Sequence, residues 1–283
     1  MDGGRLFLHK IHTYNKDTYR LLTSLLSPSA IGLNQAKRHP SVITVKVAKE
    51  EFFAYIVSAY LTVELPLKIE RIAREHYYYT DPIEIERIIE YTNCLLQDAC
   101  YVKQWFKARS LFAYLYKNIH DHFMLHAPTS IYIQFETFVR FQFKTFHQQL
   151  IDIVGEAIDE MKREEEYQYF IEKLRRYIQH APPKCRSLHI VQAEPFRFYT
   201  EYGTLLNRSF LRKKMAEAPL YLFGLDEHEW NLSPIIALLP EKLYIYGRNE
   251  NEGKTVTLLS IFEERARFLS EDAFQLPGIK VEE

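Results

Sequence analysis

The sequence predicts an α+β protein: a central bundle built around one long helix, a small N-terminal β-α-β unit and a C-terminal mixed α/β subdomain. Three observations carry this. Residues 136–178 hold helical periodicity with no proline in the run. Residues 42–47 alternate apolar and polar side chains, and strand-like and helical stretches interleave again beyond residue 182. Between helix and C-terminal part lies Ala181-Pro182-Pro183-Lys184, the strongest helix-stopping punctuation in the chain. The implied segments are 1–48, 49–181 and 182–283.

In chain order, Arg5-Leu-Phe-Leu8 reads as a short strand, and Lys16–Leu26 as a helix that Pro28 ends. Ile43, Val45 and Val47 share one face of the next strand, with Thr44 and Lys46 on its wet side. From Lys49 the pattern turns helical, with Phe52, Phe53, Ile56, Val57, Tyr60 and Leu61 at i, i+3/i+4 spacing. Pro66 divides this helix from the next, which carries Leu67, Ile69, Ile72 and Ala73. At Asp81-Pro82-Ile83-Glu84 a new helix opens towards Gln97: Asp81 caps, Pro82 sits at the first helical position and Glu84 completes a capping box. A further helix covers about 99–120, and Pro128 closes the region.

Residues 131–144 alternate like a strand, yet Phe135, Phe138, Val139, Phe143 and Phe146 form a face that runs in register into Leu150 and Val154. With no turn signal between them, helix is expected from about Glu136, and that choice strands only Phe141. The apolar stripe ending at Ile158 and Met161 and the one made by Tyr167, Phe170, Ile171, Leu174, Tyr177 and Ile178 lie roughly 200° apart on a straight helix. Either a break falls near Lys162–Glu166, or one long helix is covered on both sides.

Beyond Lys184, Leu188 and Ile190 pair with Phe196, Phe198 and Tyr199 as a hairpin around Glu194-Pro195. A basic helix over Arg208–Ala216, a helix within Glu227–Leu239, a strand at Lys242–Tyr246, a helix over Lys254–Arg267 and a short strand at Arg267–Leu269 follow. The last three imply one parallel β-α-β crossover.

A chain of 283 residues can bury a substantial core. Hydrophobic residues at 47% and charged residues at 26% are ordinary globular usage and argue against disorder. Twenty Tyr and 19 Phe read first as a bulky core and second as a partner-binding surface. A net charge of −1 supplies no general attraction for phosphate backbones, so nucleic acid is not expected. The first residues lack a secretory pattern, and the uncharged apolar run Phe52–Val63 is shorter than the roughly 20 residues of a membrane span. Cys94, Cys100 and Cys185 are odd in number and lack framework spacing, which suits reduced thiols. The expectation is a cytoplasmic protein without a membrane segment.

No stretch amounts to a catalytic signature. Gly247-Arg-Asn-Glu-Asn-Glu-Gly253-Lys254-Thr255 has the strand-to-helix context of a phosphate loop, but five residues separate its glycines where four are needed, and Glu250 and Glu252 would oppose a triphosphate. In His120-Asp-His-Phe-Met-Leu-His126, His122 and His126 stand at i, i+4, a spacing that can hold a metal from one helix, but no third ligand is evident nearby and a polar helix end is the simpler account. Asp226-Glu227-His228-Glu229 reads as a helix start and Glu164-Glu165-Glu166 as a solvated face. Arg208, Arg212, Lys213 and Lys214 form a basic cluster that suits a solvated helix better than a nucleic-acid site. Catalytic residues, metal and cofactors are therefore not expected, and a protein partner is. Arg140, set among Phe138, Phe141 and Phe143, needs a mate, for which Glu136 four residues back is the candidate. The binding candidates are Glu136, Arg140, Arg208, Arg212 and Lys254.

Two stretches carry a resemblance. Arg74-Glu-His-Tyr-Tyr-Tyr-Thr-Asp81 runs into Ile85-Glu-Arg-Ile88, and Phe138-Val-Arg-Phe-Gln-Phe143 continues through Ala157-Ile-Asp-Glu160 and Glu164-Glu-Glu-Tyr-Gln-Tyr-Phe-Ile171 to Pro183-Lys184. With the His189-Ile190 strand and Leu239-Pro-Glu-Lys-Leu-Tyr-Ile245, this order and spacing resemble the YtxC family of sporulation proteins. The resemblance implies a cytoplasmic protein linked to spore formation, and supplies no catalytic residues to carry over.

Overall fold

The elements expected from local sequence can be compared with a computed structural model, in which residues 6–26, 30–34, 41–123 and 130–274 are described. The fold is α+β, in two compact units, Met1–Arg163 and Glu164–Glu283.

The first unit opens with β1 (Phe7–Thr13), α1 (Lys16–Leu26), β2 (Ala30–Asn34) and β3 (Ser41–Val47). β1 is longer than its short apolar start implied. It pairs antiparallel with β3 along its whole length, from Phe7 opposite Val47 to Thr13 opposite Ser41. His9, Ile11 and Thr13 are buried, so two of the three inward positions are polar and mask the alternation. His9 fits because its ring nitrogens meet the Val47 carbonyl at 3.2 Å and the Ile131 N–H at 3.2 Å. The expected β-α-β unit is not closed within the first 48 residues, because β4 (Tyr132–Gln134) adds to β1 in parallel and completes a sheet of order β2-β3-β1-β4. The expected stops Pro28 and Pro128 lie outside the described residues.

Helices α2 (Lys49–Ala59) and α3 (Leu65–Glu75) are not separated at Pro66; a π-helical turn, Tyr60–Glu64, joins them into one 27-residue run. By length and composition alone that run could cross a membrane, but its Phe52, Phe53, Ile56 and Val57 are buried in the core of the first unit. α4 (Pro82–Gln97) starts as expected, with Asp81 accepting the Ile83 N–H at 2.7 Å. Glu84 does not close the capping box; Lys162 holds it at 3.1 Å. The single helix expected over 99–120 is two, α5 (Ala99–Phe106) and α6 (Leu111–Phe123), because Lys107 takes a left-handed conformation with φ 51° and ends α5.

Next come α7 (Phe135–Gln142) and α8 (Lys144–His180). The break falls at Phe143 and not near residues 162–166; α8 runs unbroken through its charged middle. No residue between Met161 and Ile171 is buried, so the two apolar stripes serve two different cores. Phe141 is stranded as expected, at 69% exposure. The compact units divide inside this helix, whereas Ala181-Pro182 only ends it. Earlier in the chain, Tyr77 of the family-like stretch donates to the Ile151 carbonyl at 2.8 Å, and its hydroxyl sits where only Gly155 leaves room.

The second unit holds the end of α8, then β5 (Cys185–Val191), β6 (Arg197–Thr200), α9 (Arg208–Ala216), α10 (Ser233–Leu238), β7 (Pro240–Gly247), α11 (Gly253–Phe262) and β8 (Ala266–Ser270). The sheet order is β6-β5-β7-β8, with the β5–β6 hairpin antiparallel and the other pairs parallel. Leu188, Ile190, Phe198, Leu243 and Ile245 pack in one core with Ile171, Leu174 and Ile178 of α8. Arg265 fastens the helix end to the sheet, donating to the Ile178 carbonyl at 2.9 Å and the Glu241 carbonyl at 3.0 Å. α11 ends at Phe262, five residues before the expected limit, since Ala266 already pairs with Leu243.

Candidate functional site

Pro66 shapes a polar cleft of the first unit. Proline has no N–H, and in a regular helix its ring would collide with the carbonyl four residues back. The chain widens instead, and the Leu65 N–H reaches the Tyr60 carbonyl five residues back. Such π turns are frequent at functional sites. This one places Tyr60 at its start and Glu64 at its end.

The Tyr60 ring is buried 4.7 Å from the Phe143 ring, and its hydroxyl lies 2.7 Å from His147 Nε2. Burial, and then the Glu64 carboxylate, pushes the phenol well above its ordinary range. Burial, helped by the Lys68 charge, holds His147 down at about 4. At neutral pH an uncharged phenol and an uncharged imidazole therefore share this hydrogen bond.

Glu64 accepts from Asn15 Nδ2 and Thr18 Oγ1, each at 3.3 Å. Burial and then the neighbouring Glu136 carboxylate raise it above the usual range, against relief from those two bonds and from Arg71. Glu136 is a hub. It accepts from Thr13 Oγ1 at 2.7 Å, the Tyr14 N–H at 2.8 Å and the Asn15 N–H at 3.1 Å, and also from the Gln134 amide. Both carboxylates are thus engaged by the chain from the end of β1 to the first turn of α1. Lys68, Arg71 and Arg140 line the same cleft of about 290 Å³ with Tyr60, Glu64, Glu136 and His147. Among the described residues none of these three cations stands in an ion pair.

The expected Glu136–Arg140 pair is not formed. Glu136 is taken by backbone donors, and Arg140 is exposed with its guanidinium 5.9 Å from the Phe141 ring, where a charge is cheap. The two residues still meet in one cleft. Sequence reasoning missed its other members. Glu64, Lys68 and Arg71 do sit at i, i+4 and i+7 on one helix face, a signal available in the sequence. The contact between Tyr60 and His147, 87 residues apart, leaves no such trace.

The remaining candidates lie in the second unit, where they are engaged differently. Lys254 is paired with Glu194. The loop between β7 and α11 is filled by Gln192, whose Oε1 accepts the Arg248 N–H at 3.0 Å and the Asn249 N–H at 3.3 Å and whose amide donates to Thr255 Oγ1 at 2.7 Å. Arg208 and Arg212 both lie over the Trp230 ring, at 5.5 and 5.8 Å. Asp226 caps only a turn, accepting from the His228 and Glu229 N–H groups, while Glu229 accepts from Leu232 and Ser233 at the true start of α10. Among the described residues no group of His, Cys, Asp and Glu could hold a metal; the His122 side chain and His126 lie outside them.

A base held near 4 and a phenol held far above its usual range are both badly matched to proton transfer at neutral pH. The cleft does present three cationic side chains, Lys68, Arg71 and Arg140, on one surface. The lowered His147 also makes a stability prediction. A base whose folded value lies below its unfolded 6.5 gives up stability as pH falls from 6.5 towards 4. The full window is worth about 3 kcal/mol, which solvent at the partly exposed ring reduces to about 2 kcal/mol. Between pH 7 and pH 4 the wild type is expected to lose about 2 kcal/mol more than His147→Gln in urea unfolding. Glu64 shifts the other way, but it is common to both proteins and cancels in the difference.

The YtxC-like family model matches residues 51–267 of the chain. "Uncharacterized protein YtxC" of Bacillus subtilis (strain 168) is 31% identical over 145 residues, which cover 49% of this chain and 48% of that protein. The match thus spans about half the length of the relative. No solved structure matches the chain.

Proposed function

Since the chain belongs to the YtxC-like family, we propose that it is a sporulation-associated cytoplasmic protein that works by binding a protein partner and not by catalysis. The observation that carries this reading is the cleft at the π turn. Tyr60 and His147 are held away from the protonation states that proton transfer needs, while Lys68, Arg71 and Arg140 are left to meet an acidic group from outside. The link to spore formation comes from the family resemblance, and the cytoplasmic location from the same source together with three cysteines unsuited to a disulfide framework.

The alternative, a nucleotide- or phosphate-binding enzyme acting through Gly253-Lys254-Thr255, has less support. Gln192 occupies that loop, and Glu194 neutralises Lys254.

The test is genetic. In a spore-forming host that carries this chain in place of its YtxC relative, the Lys68→Ala/Arg71→Ala/Arg140→Ala variant is expected to lower heat-resistant spore counts to those of a strain lacking the protein. Vegetative growth should be unchanged. Equal spore counts in the deleted and complemented strains would remove the sporulation reading.

A further inference from the structure

We propose that the cleft at the π turn binds a phosphoryl group, with Lys68, Arg71 and Arg140 as its ligands. This rests on the reading of that cleft as a binding site, and it names the chemistry of what is bound.

The charges favour it. The Glu136 carboxylate faces the Tyr14 and Asn15 N–H groups at the N-terminus of α1, whose helix dipole offsets its charge. The Glu64 carboxylate is turned to Asn15 and Thr18, and burial disfavours its ionised form. Glu64 feels the Arg71 charge at a distance, but among the described residues neither carboxylate forms a contact ion pair with Lys68, Arg71 or Arg140. Three cationic side chains, two guanidinium groups and an ammonium, stand against two carboxylates that are already hydrogen-bonded elsewhere. A tetrahedral dianion offers three terminal oxygens, and arginine forks match that geometry.

Size narrows the ligand further. A cleft of 290 Å³ lies at the lower edge of small-molecule sites, which start at about 300 Å³. It has the room of roughly ten water molecules. That suits a phosphoryl group on a small ester or on a phosphorylated side chain, and is tight for a nucleotide. His147, uncharged beside Tyr60, adds hydrogen bonding without competing for the anion.

The full chain is titrated with inorganic phosphate, O-phosphoserine and glutamate at matched ionic strength, following its melting temperature. Phosphate and phosphoserine should each raise it saturably, and glutamate should not. Arg71→Ala/Arg140→Ala should weaken both responses at least about tenfold while keeping a cooperative melting transition without ligand, since neither arginine holds a contact ion pair among the described residues. Arg208→Ala/Arg212→Ala, in the second unit, should respond as wild type. Tighter binding of phosphoserine than of phosphate would identify a phosphorylated side chain as the source, and equal binding a free phosphate or small ester. No saturable response to either, an equal response to glutamate, or an undiminished response in the Arg71/Arg140 variant would overturn the proposal. That failure is separate from the spore-count result, which judges the wider reading alone.

Discussion

Phe146→Ala is expected to destabilise the first unit by about 4 kcal/mol, the range for truncating a fully buried phenylalanine. Phe146 has no exposed surface and touches three other aromatic side chains, with ring centres 5.7 Å from Phe106, 6.3 Å from Tyr60 and 6.5 Å from Tyr114. These belong to α5, α6 and the π turn, so one truncation opens a void shared by three elements, and close packing prevents them from collapsing into it together. Phe146→Leu, which keeps most of the volume, should cost only about 1 kcal/mol. The chain has two tryptophans, Trp105 in the first unit and Trp230 in the second. In a Trp230→Phe background, Trp105 fluorescence during urea unfolding therefore reports on the first unit alone. A midpoint unchanged by Phe146→Ala would mean that the aromatic cluster is not packed as described.

Glu136→Ala is expected to cost about 3 kcal/mol in the same measurement, because hydrogen bonds to a charged acceptor are the strong kind and their donors would lose their partner. The Tyr14 and Asn15 N–H groups and the Thr13 hydroxyl all converge on one carboxylate oxygen. Glu136→Gln retains an acceptor and should lose about 1 kcal/mol. Arg140→Ala should lose less than about 0.5 kcal/mol, as is usual for an exposed side chain without an ion pair. The contrast separates the two accounts of this residue. If Glu136 served Arg140, the two alanine variants would cost alike; if it fastens the loop between β1 and α1, only Glu136→Ala is expensive.

The difficulty of reading this site from sequence has a physical cause. Glu136 and Arg140 stand four apart on a helix, a spacing that favours a pair. A helix offers its side chains to whatever tertiary neighbour is nearest, however, and a loop 121 to 123 residues away in sequence outcompeted Arg140. Pro66 was legible as a disturbance, but whether a proline ends a helix or widens it into a π turn depends on the packing that holds both arms. Here Phe52, Phe53 and Ile56 on one side of the turn and Ile69 and Ile72 on the other are buried in one core, so the run continues. His9 hid a strand for a related reason. A polar side chain at an inward position is tolerated only when distant partners satisfy it, and its partners are Val47 and Ile131.

By itself the sequence determined the α+β class, the placement of α1, β3, α9 and the β5–β6 hairpin, the two apolar stripes of the long helix, and the family. Those follow from periodicity, capping residues and punctuation within a few turns of chain. Tertiary structure alone decided that β4 completes the first sheet, that α8 runs unbroken through a stretch without buried residues, that Gln192 fills the glycine-flanked loop, and that Tyr60, Glu64, Lys68, Arg71, Arg140 and His147 share one cleft. Each of these depends on groups far apart in sequence being held within a few ångströms, and local patterns do not record which distant partner burial will bring.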